Sequence, residues 1–293
     1  MSKFFRPLLF LLLCLTFPTQ AQESLRPYEL VDTFTGSLAE ATDSTRSALE
    51  NSAFEVVGEY SPYAGATVIA ITHPALLQAA SEKEFGGYAA VLRMGLTEVD
   101  GKVQRSYANP GYWGPALQVG SLDPVNSALK EVFGDSRPFG SEKGLSNKKL
   151  SNYRYMMMMP RLRDHDKLGS FPSHAAAVAT IRKNLEDNSH SLVKVFEVAI
   201  PDSDEVLFGV GIGSGDGSDS EVMGTTDRGE LRHTAHLPYA LLVSGRHAYA
   251  LAGKFRIALA FPDLSMGTFM KISGAPNAIR DSLESLASSE TLP

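Results

Sequence analysis

Hydrophobic and polar residues alternate along Tyr28–Phe34, "YELVDTF", as expected of a strand with one buried face. The period then changes. In "SLAEATDSTRSALENSA", Ser37–Ala53, the residues Leu38, Ala41, Thr45 and Ala48–Leu49 fall on one side of a helix. Two β-rich runs follow, "FEVVGEY" and "ATVIAIT", and then a short helix or turn at "HPALLQAASEK". The segment Tyr88–Pro110 reads as a hairpin turning at "VDGK". Asp123-Pro124 opens a last helix that runs to about Phe133, since Asp satisfies free N–H groups and Pro suits the first helical turn.

The second half repeats the order. "NYRYMMMMP" is expected as its first strand and "SHAAAVATIRKNLED" as its helix, with Ser173 as N-cap. "SLVKVFEVAI" and "EVLFGVGI" are the next strands, Tyr239–Pro262 the hairpin and "APNAIRDSLESLA" the closing helix. Both hairpins carry Gly-Lys before the returning strand, at Gly101-Lys102 and Gly253-Lys254. The cadence "RSYANPGYWG", Arg105–Gly114, returns as "RIALAFPDLSMG", Arg256–Gly267, with Pro110 and Pro262 expected to end the two strands.

The expected fold class is therefore α+β: two tandem domains of β-α-β(4)-α type with antiparallel sheets, packed as a pseudo-dimer. Between them Asp135–Leu150, "DSRPFGSEKGLSNKKL", is polar and reads as a linker, which puts the domains at residues 22–135 and 151–293. The linker is too short to let them separate far. Whether the pair associates again into a homodimer is open.

Composition changes the picture at the N-terminus. Lys3 and Arg6 precede an apolar run, Pro7–Phe17, which is short of the roughly 20 residues of a bilayer span. "TQA" then supplies small residues, so residues 1–21 are expected to be a signal peptide cleaved after Ala21, and the mature protein to be periplasmic. No later run approaches transmembrane length. The single cysteine, Cys14, leaves with the signal, so the mature chain has neither thiol nor disulfide and relies on its core. Losing Lys3 and Arg6 leaves 25 basic against 33 acidic residues, a net charge of -8. That balance argues against nucleic acid as a partner.

Candidate chemistry is sparse. "YANPGYW" sets Tyr107, Asn109, Tyr112 and the only tryptophan, Trp113, around a turn at a sheet end; such aromatics suit a small hydrophobic ligand or a protein partner. The competing reading is that they cover the seam between domains. "GVGIGSGDGSDSEVMG", Gly209–Gly224, is not expected to bind nucleotide, since it is not placed to open the helix of a parallel βαβ unit. Its Asp216, Asp219 and Glu221 suit Ca²⁺ in type but not in spacing, and a flexible acidic loop is the plainer expectation. Met156–Met159 suit Cu(I) in type, but in a strand only two share a face, and core packing is expected. His165, His174, His233 and His236 form a metal site or an acid–base pair only if the fold gathers them. No nucleophile motif is present and no cofactor is expected.

The first half resembles a known bacterial family, domain-of-unknown-function family 302. The carrying residues are "FEVVGEY", "TVIAITHPALLQAA" and "YAAVLRMGLTEVDGKVQRSYANPGY", with His73-Pro74, Arg93, Asp100-Gly101-Lys102, Ser106-Tyr107 and Asn109-Pro110 at the matching positions. The match covers roughly residues 36–135. The second half is similar only in order and in "LPYALLV…GKFRIALAFP", and has a glycine-rich insert where the first has the Xaa-Pro step. The resemblance implies a curved antiparallel sheet with helices on one face, similar to TATA-binding-protein-like domains. It implies no DNA binding and brings no established activity. Together these readings favour a periplasmic, non-enzymatic binding or accessory protein, with Arg93 and the Tyr107–Trp113 turn as candidate contacts. The alternatives are a metal-handling protein using the histidines and acids, and an uncharacterised hydrolase or isomerase.

Overall fold

The computed structural model describes residues 24–187 and 191–288, so the predicted signal, Met1–Ala21, lies outside the described residues. The first half contains strands β1 (Tyr28–Phe34), β2 (Glu55–Tyr60), β3 (Ala66–Thr72), β4 (Leu92–Val99), β5 (Lys102–Ala108) and β6 (Arg137–Phe139). Its helices are α1 (Leu38–Glu50), α2 (Pro74–Ser81), α3 (Pro110–Ala116), α4 (Asp123–Phe133) and α5 (Asn147–Leu150). The second half has β7 (Asp166–Ser170), β8 (Leu192–Ala199), β9 (Glu205–Ile212), β10 (Tyr239–Ser244) and β11 (His247–Ala250). Its helices are α6 (His174–Glu186), α7 (Asp219–Thr226), α8 (Gly253–Ala260), α9 (Met266–Lys271) and α10 (Ala275–Leu286).

The strands form two antiparallel sheets, ordered β2-β3-β4-β5-β1-β6 and β8-β9-β10-β11-β7. Matching β1–β5 to β7–β11 gives one topology in both halves, with β6 added at one edge. The expected α+β class with two tandem sheets is what the chain adopts. Local chemistry accounts for the helix starts. Ser37 and Glu40 close a reciprocal capping box at α1, and Ser173 accepts from the Ala176 N–H at α6. At α4 the cap position is Leu122, without a side-chain bond, and Asp123 lies inside the helix.

Three segments differ from expectation. Asn152–Pro160 is not a strand: β7 begins only at Asp166, and Met156–Met159 form a turn closed by the Met159 N–H on the Met156 carbonyl at 3.1 Å. Met157 and Met158 are 83% and 91% exposed, so the methionines are not core. The second hairpin turns at Gly245-Arg246, two residues after Val243, and Gly253-Lys254 begins helix α8. Arg105 therefore lies in a strand and Arg256 in a helix, and the repeated cadence does not mark equivalent positions. Pro110 likewise opens α3 rather than ending in a ladder. Finally, the polar segment between halves is docked: Arg137–Phe139 pairs with β1, and Leu25 bridges Leu145.

β3 and β9 are buried along their whole length, where a sheet with one wet face would alternate. Each is contacted by a helix of its own half, α1 on β3 and α10 on β9, and by a 3₁₀ turn of the other half. The turn Gly86–Ala89 reaches β9 and β10, while Thr234–His236 reaches β3, β4 and β5. This exchange needs close backbone approach. A Cβ on Gly87 would sit 2.6 Å from Leu242 Cδ1, and one on Gly95 2.6 Å from the Ala235 nitrogen.

Candidate functional site

Charged residues inside apolar runs are costly unless paired, so their partners decide what they do. Arg93 stands in "VLRMGL" at the start of β4 and is 9% exposed; Arg256 stands in "KFRIAL" on α8 and is 7% exposed. Neither makes an ion pair among the described residues.

Both line a cavity of about 30 Å³ at the seam, with Tyr88, Trp113, Tyr239 and an apolar wall that includes Leu117, Leu251 and Leu283. Its position follows from α3. Asn109 caps this helix: its Oδ1 accepts the Gly111 N–H at 2.9 Å, and its Nδ2 donates to the Arg26 carbonyl at 2.9 Å and to Glu29 at 3.1 Å. Tyr112 donates its hydroxyl to the Leu259 carbonyl at 2.8 Å, tying α3 to α8 across the seam. Trp113 donates its indole N–H to the Pro27 carbonyl at 3.0 Å, which leaves its face to the Arg256 guanidinium, 4.7 Å from the ring centroid.

Arg256 donates to the His236 carbonyl and, at 3.0 Å, to His236 Nδ1. That bond requires Nδ1 to accept, so the imidazole is neutral with its proton on Nε2, which faces the Tyr239 hydroxyl at 3.4 Å. Burial, and then the charges of Arg256 and Arg93, hold the His236 pKa well below the ordinary histidine value. Arg93 donates from Nη1 to the Val91 carbonyl at 3.2 Å, and its Nε has no partner among the described residues. Its cation lies 5.9 Å from the Phe196 ring centroid. Burial, reinforced by repulsion from Arg256, pushes the Arg93 pKa down to about 9, and burial lowers that of Arg256. The buried hydroxyls of Tyr28 and Tyr88 are also without partners among the described residues.

Two guanidinium groups, an unpaired donor and, among the described residues, no carboxylate in the lining form an electropositive, desolvated cavity. It is fitted to accept an anion, which guanidinium forks bind through paired N–H groups. A cavity of about 30 Å³ has room for a few small atoms, which fits an anionic head rather than a large ligand.

Other predicted residues are dispersed. Tyr107 is buried, with its hydroxyl 3.0 Å from that of Ser136. His165 packs between the rings of Phe85, at 4.2 Å, and Tyr88, at 5.6 Å. His174 begins α6, and His233 contacts Tyr28, Phe139 and Phe261. The Asp227 carboxylate holds His233 Nδ1 at 2.6 Å. Asp216 is exposed, whereas Asp219 is 1% exposed, so Gly209–Gly224 is not simply a flexible acidic loop. That glycine run does lead from a strand into a helix, α7, but the strand lies in an antiparallel sheet, not a parallel βαβ unit. Asp219 accepts from the Ile212 N–H at 3.2 Å and from the Tyr60 hydroxyl at 3.1 Å, and burial raises its pKa to about 7. Among the described residues, no three His, Cys, Asp or Glu side chains gather to hold a metal ion.

The sequence reading singled out Arg93 and Trp113, which line the cavity together, and missed Arg256 and Tyr88. An available signal was the lone arginine in each of two apolar runs. No helix of the described residues is long and apolar enough to cross a membrane. Comparison of the chain with protein-family models, with curated proteins and with solved structures found no match.

Proposed function

We propose that the mature chain is a periplasmic, non-enzymatic binding protein whose seam cavity takes the anionic head of a small organic acid. The carrying observation is Arg93, a buried cation with neither an acidic partner nor a partner for its Nε among the described residues. Such a residue lowers stability, and replacing buried charges by apolar groups is often neutral or stabilising. A chain that keeps two of them around one cavity has a use for the charge, and a carboxylate is the counter-ion the geometry suits. The wall of Leu117, Leu251 and Leu283 suits a short apolar body beyond that head. In this reading the two halves are a pseudo-dimer, with the ligand held between them. The signal-peptide features of residues 1–21 support export, and the resemblance to domain-of-unknown-function family 302 brings no activity that competes with binding. His236 has both ring nitrogens engaged, which favours binding over proton transfer.

Native mass spectrometry of the chain recovered from periplasm tests this. The expected result is a discrete organic-acid adduct on the parent chain that is absent from Arg93→Met. Parent and variant spectra alike in bare mass, after mild release, would sink the reading.

A further inference from the structure

We propose that residues 143–163 form a docking surface for anionic phospholipid membranes. This segment, "KGLSNKKLSNYRYMMMMPRLR", holds six of the chain's 27 basic residues and none of its 33 acidic ones. The charge asymmetry is local in a chain that is acidic overall. An open groove of about 720 Å³ is lined by Lys148, Lys149, Arg154, Tyr153 and Tyr155. Its cations suit phosphate head groups.

The apolar part adjoins the groove. The turn Met156–Met159 follows Tyr155 directly and presents Met157 and Met158, 83% and 91% exposed, at its two central positions. Tyr155 donates its hydroxyl to the Leu264 carbonyl at 2.7 Å, which anchors the turn beside α9. There Met266 and Met270 are also exposed. Five of the chain's nine methionines, Met156–Met158, Met266 and Met270, are thus exposed, three of them in the turn that follows Tyr155 of the groove. Exposed apolar tips next to a cation-lined groove fit the two-part attraction of an interfacial anchor: charge brings the surface close, and apolar side chains enter the boundary. Lipid fits better than an acidic protein because the tip is flexible and unbranched, and because it protrudes instead of forming a pocket.

The test is sedimentation of the mature chain with vesicles of phosphatidylcholine alone and of phosphatidylcholine mixed with phosphatidylglycerol. Binding is expected only to the mixed vesicles, with loss in high salt. Met157→Ser with Met158→Ser, both in water, should leave the thermal midpoint unchanged and weaken vesicle binding about tenfold or more. Equal binding to both vesicle kinds would overturn the proposal. So would a serine variant that binds as tightly as the parent, and an acidic protein would then be the partner to seek for the basic groove.

Discussion

Glu205 and Arg93 are both buried charges at the seam between the two sheets, and they are treated in opposite ways. The Glu205 carboxylate accepts the Phe85 N–H at 2.6 Å, the Gly87 N–H at 2.9 Å and the Ser244 hydroxyl at 3.1 Å. Its charge is met by donors from the other half and from β10, so it fastens the seam. Arg93 has one weak carbonyl contact, a distant ring and an Nε without a partner among the described residues. Nothing about Arg93 fastens anything. Saturated buried charge reads as structure, and unsaturated buried charge reads as a place for a ligand.

Breaking the saturated side should have the largest effect. Glu205→Ala leaves the buried Gly87 N–H and the half-buried Phe85 N–H without an acceptor, and about 3–5 kcal/mol of stability should be lost in urea unfolding. Glu205→Gln keeps one acceptor oxygen and should lose less than half of that. If the alanine variant unfolds at the parent's midpoint, Glu205 is not a fastener and the contrast with Arg93 collapses.

Asp219 is an intermediate case, because it crosses the seam to Tyr60 yet its Oδ1 has no partner among the described residues. Its pKa is raised from 3.8 to about 7, so between those values the folded state holds a proton that the unfolded state has released. Its contribution to stability is full below pH 3.8 and is lost as pH rises through about 7. The loss is on the order of 4 kcal/mol. Asp219→Asn should flatten that part of the stability–pH profile, as followed by chemical unfolding at several pH values. An unchanged slope would assign the dependence to another group.

The smallest stability effect, and of the opposite sign, belongs to the unsaturated side. Arg93→Met should raise stability by about 1–2 kcal/mol, because a desolvated cation is exchanged for an apolar side chain of similar length. A marked loss of stability in this variant would mean that Arg93 is structural after all.

The contrast also explains what could be read in advance. β1 and α1 are legible because a solvated side keeps the period visible, whereas the first hairpin, mostly buried on both strands, is legible from its Asp100-Gly101 turn. Helix α8 was read as strand because it is buried nearly all round, so "GKFRIALA" carries no period. The four methionines were read as core because an apolar run says nothing about exposure. Arg93 and Trp113 could be singled out from the first half alone. Their meeting with Arg256 and His236 depends on two halves whose contact no local pattern records.

The most direct measurement uses Trp113, the only tryptophan, as a reporter stacked on Arg256 in the cavity wall. Its fluorescence would be titrated with acetate and butyrate at fixed ionic strength, in the parent chain and in Arg93→Met. The account predicts a saturable change in the parent and an apparent affinity weaker by about tenfold or more in the variant, which has lost a charged donor. A response that does not saturate with either acid, or that is the same in both proteins, would contradict it.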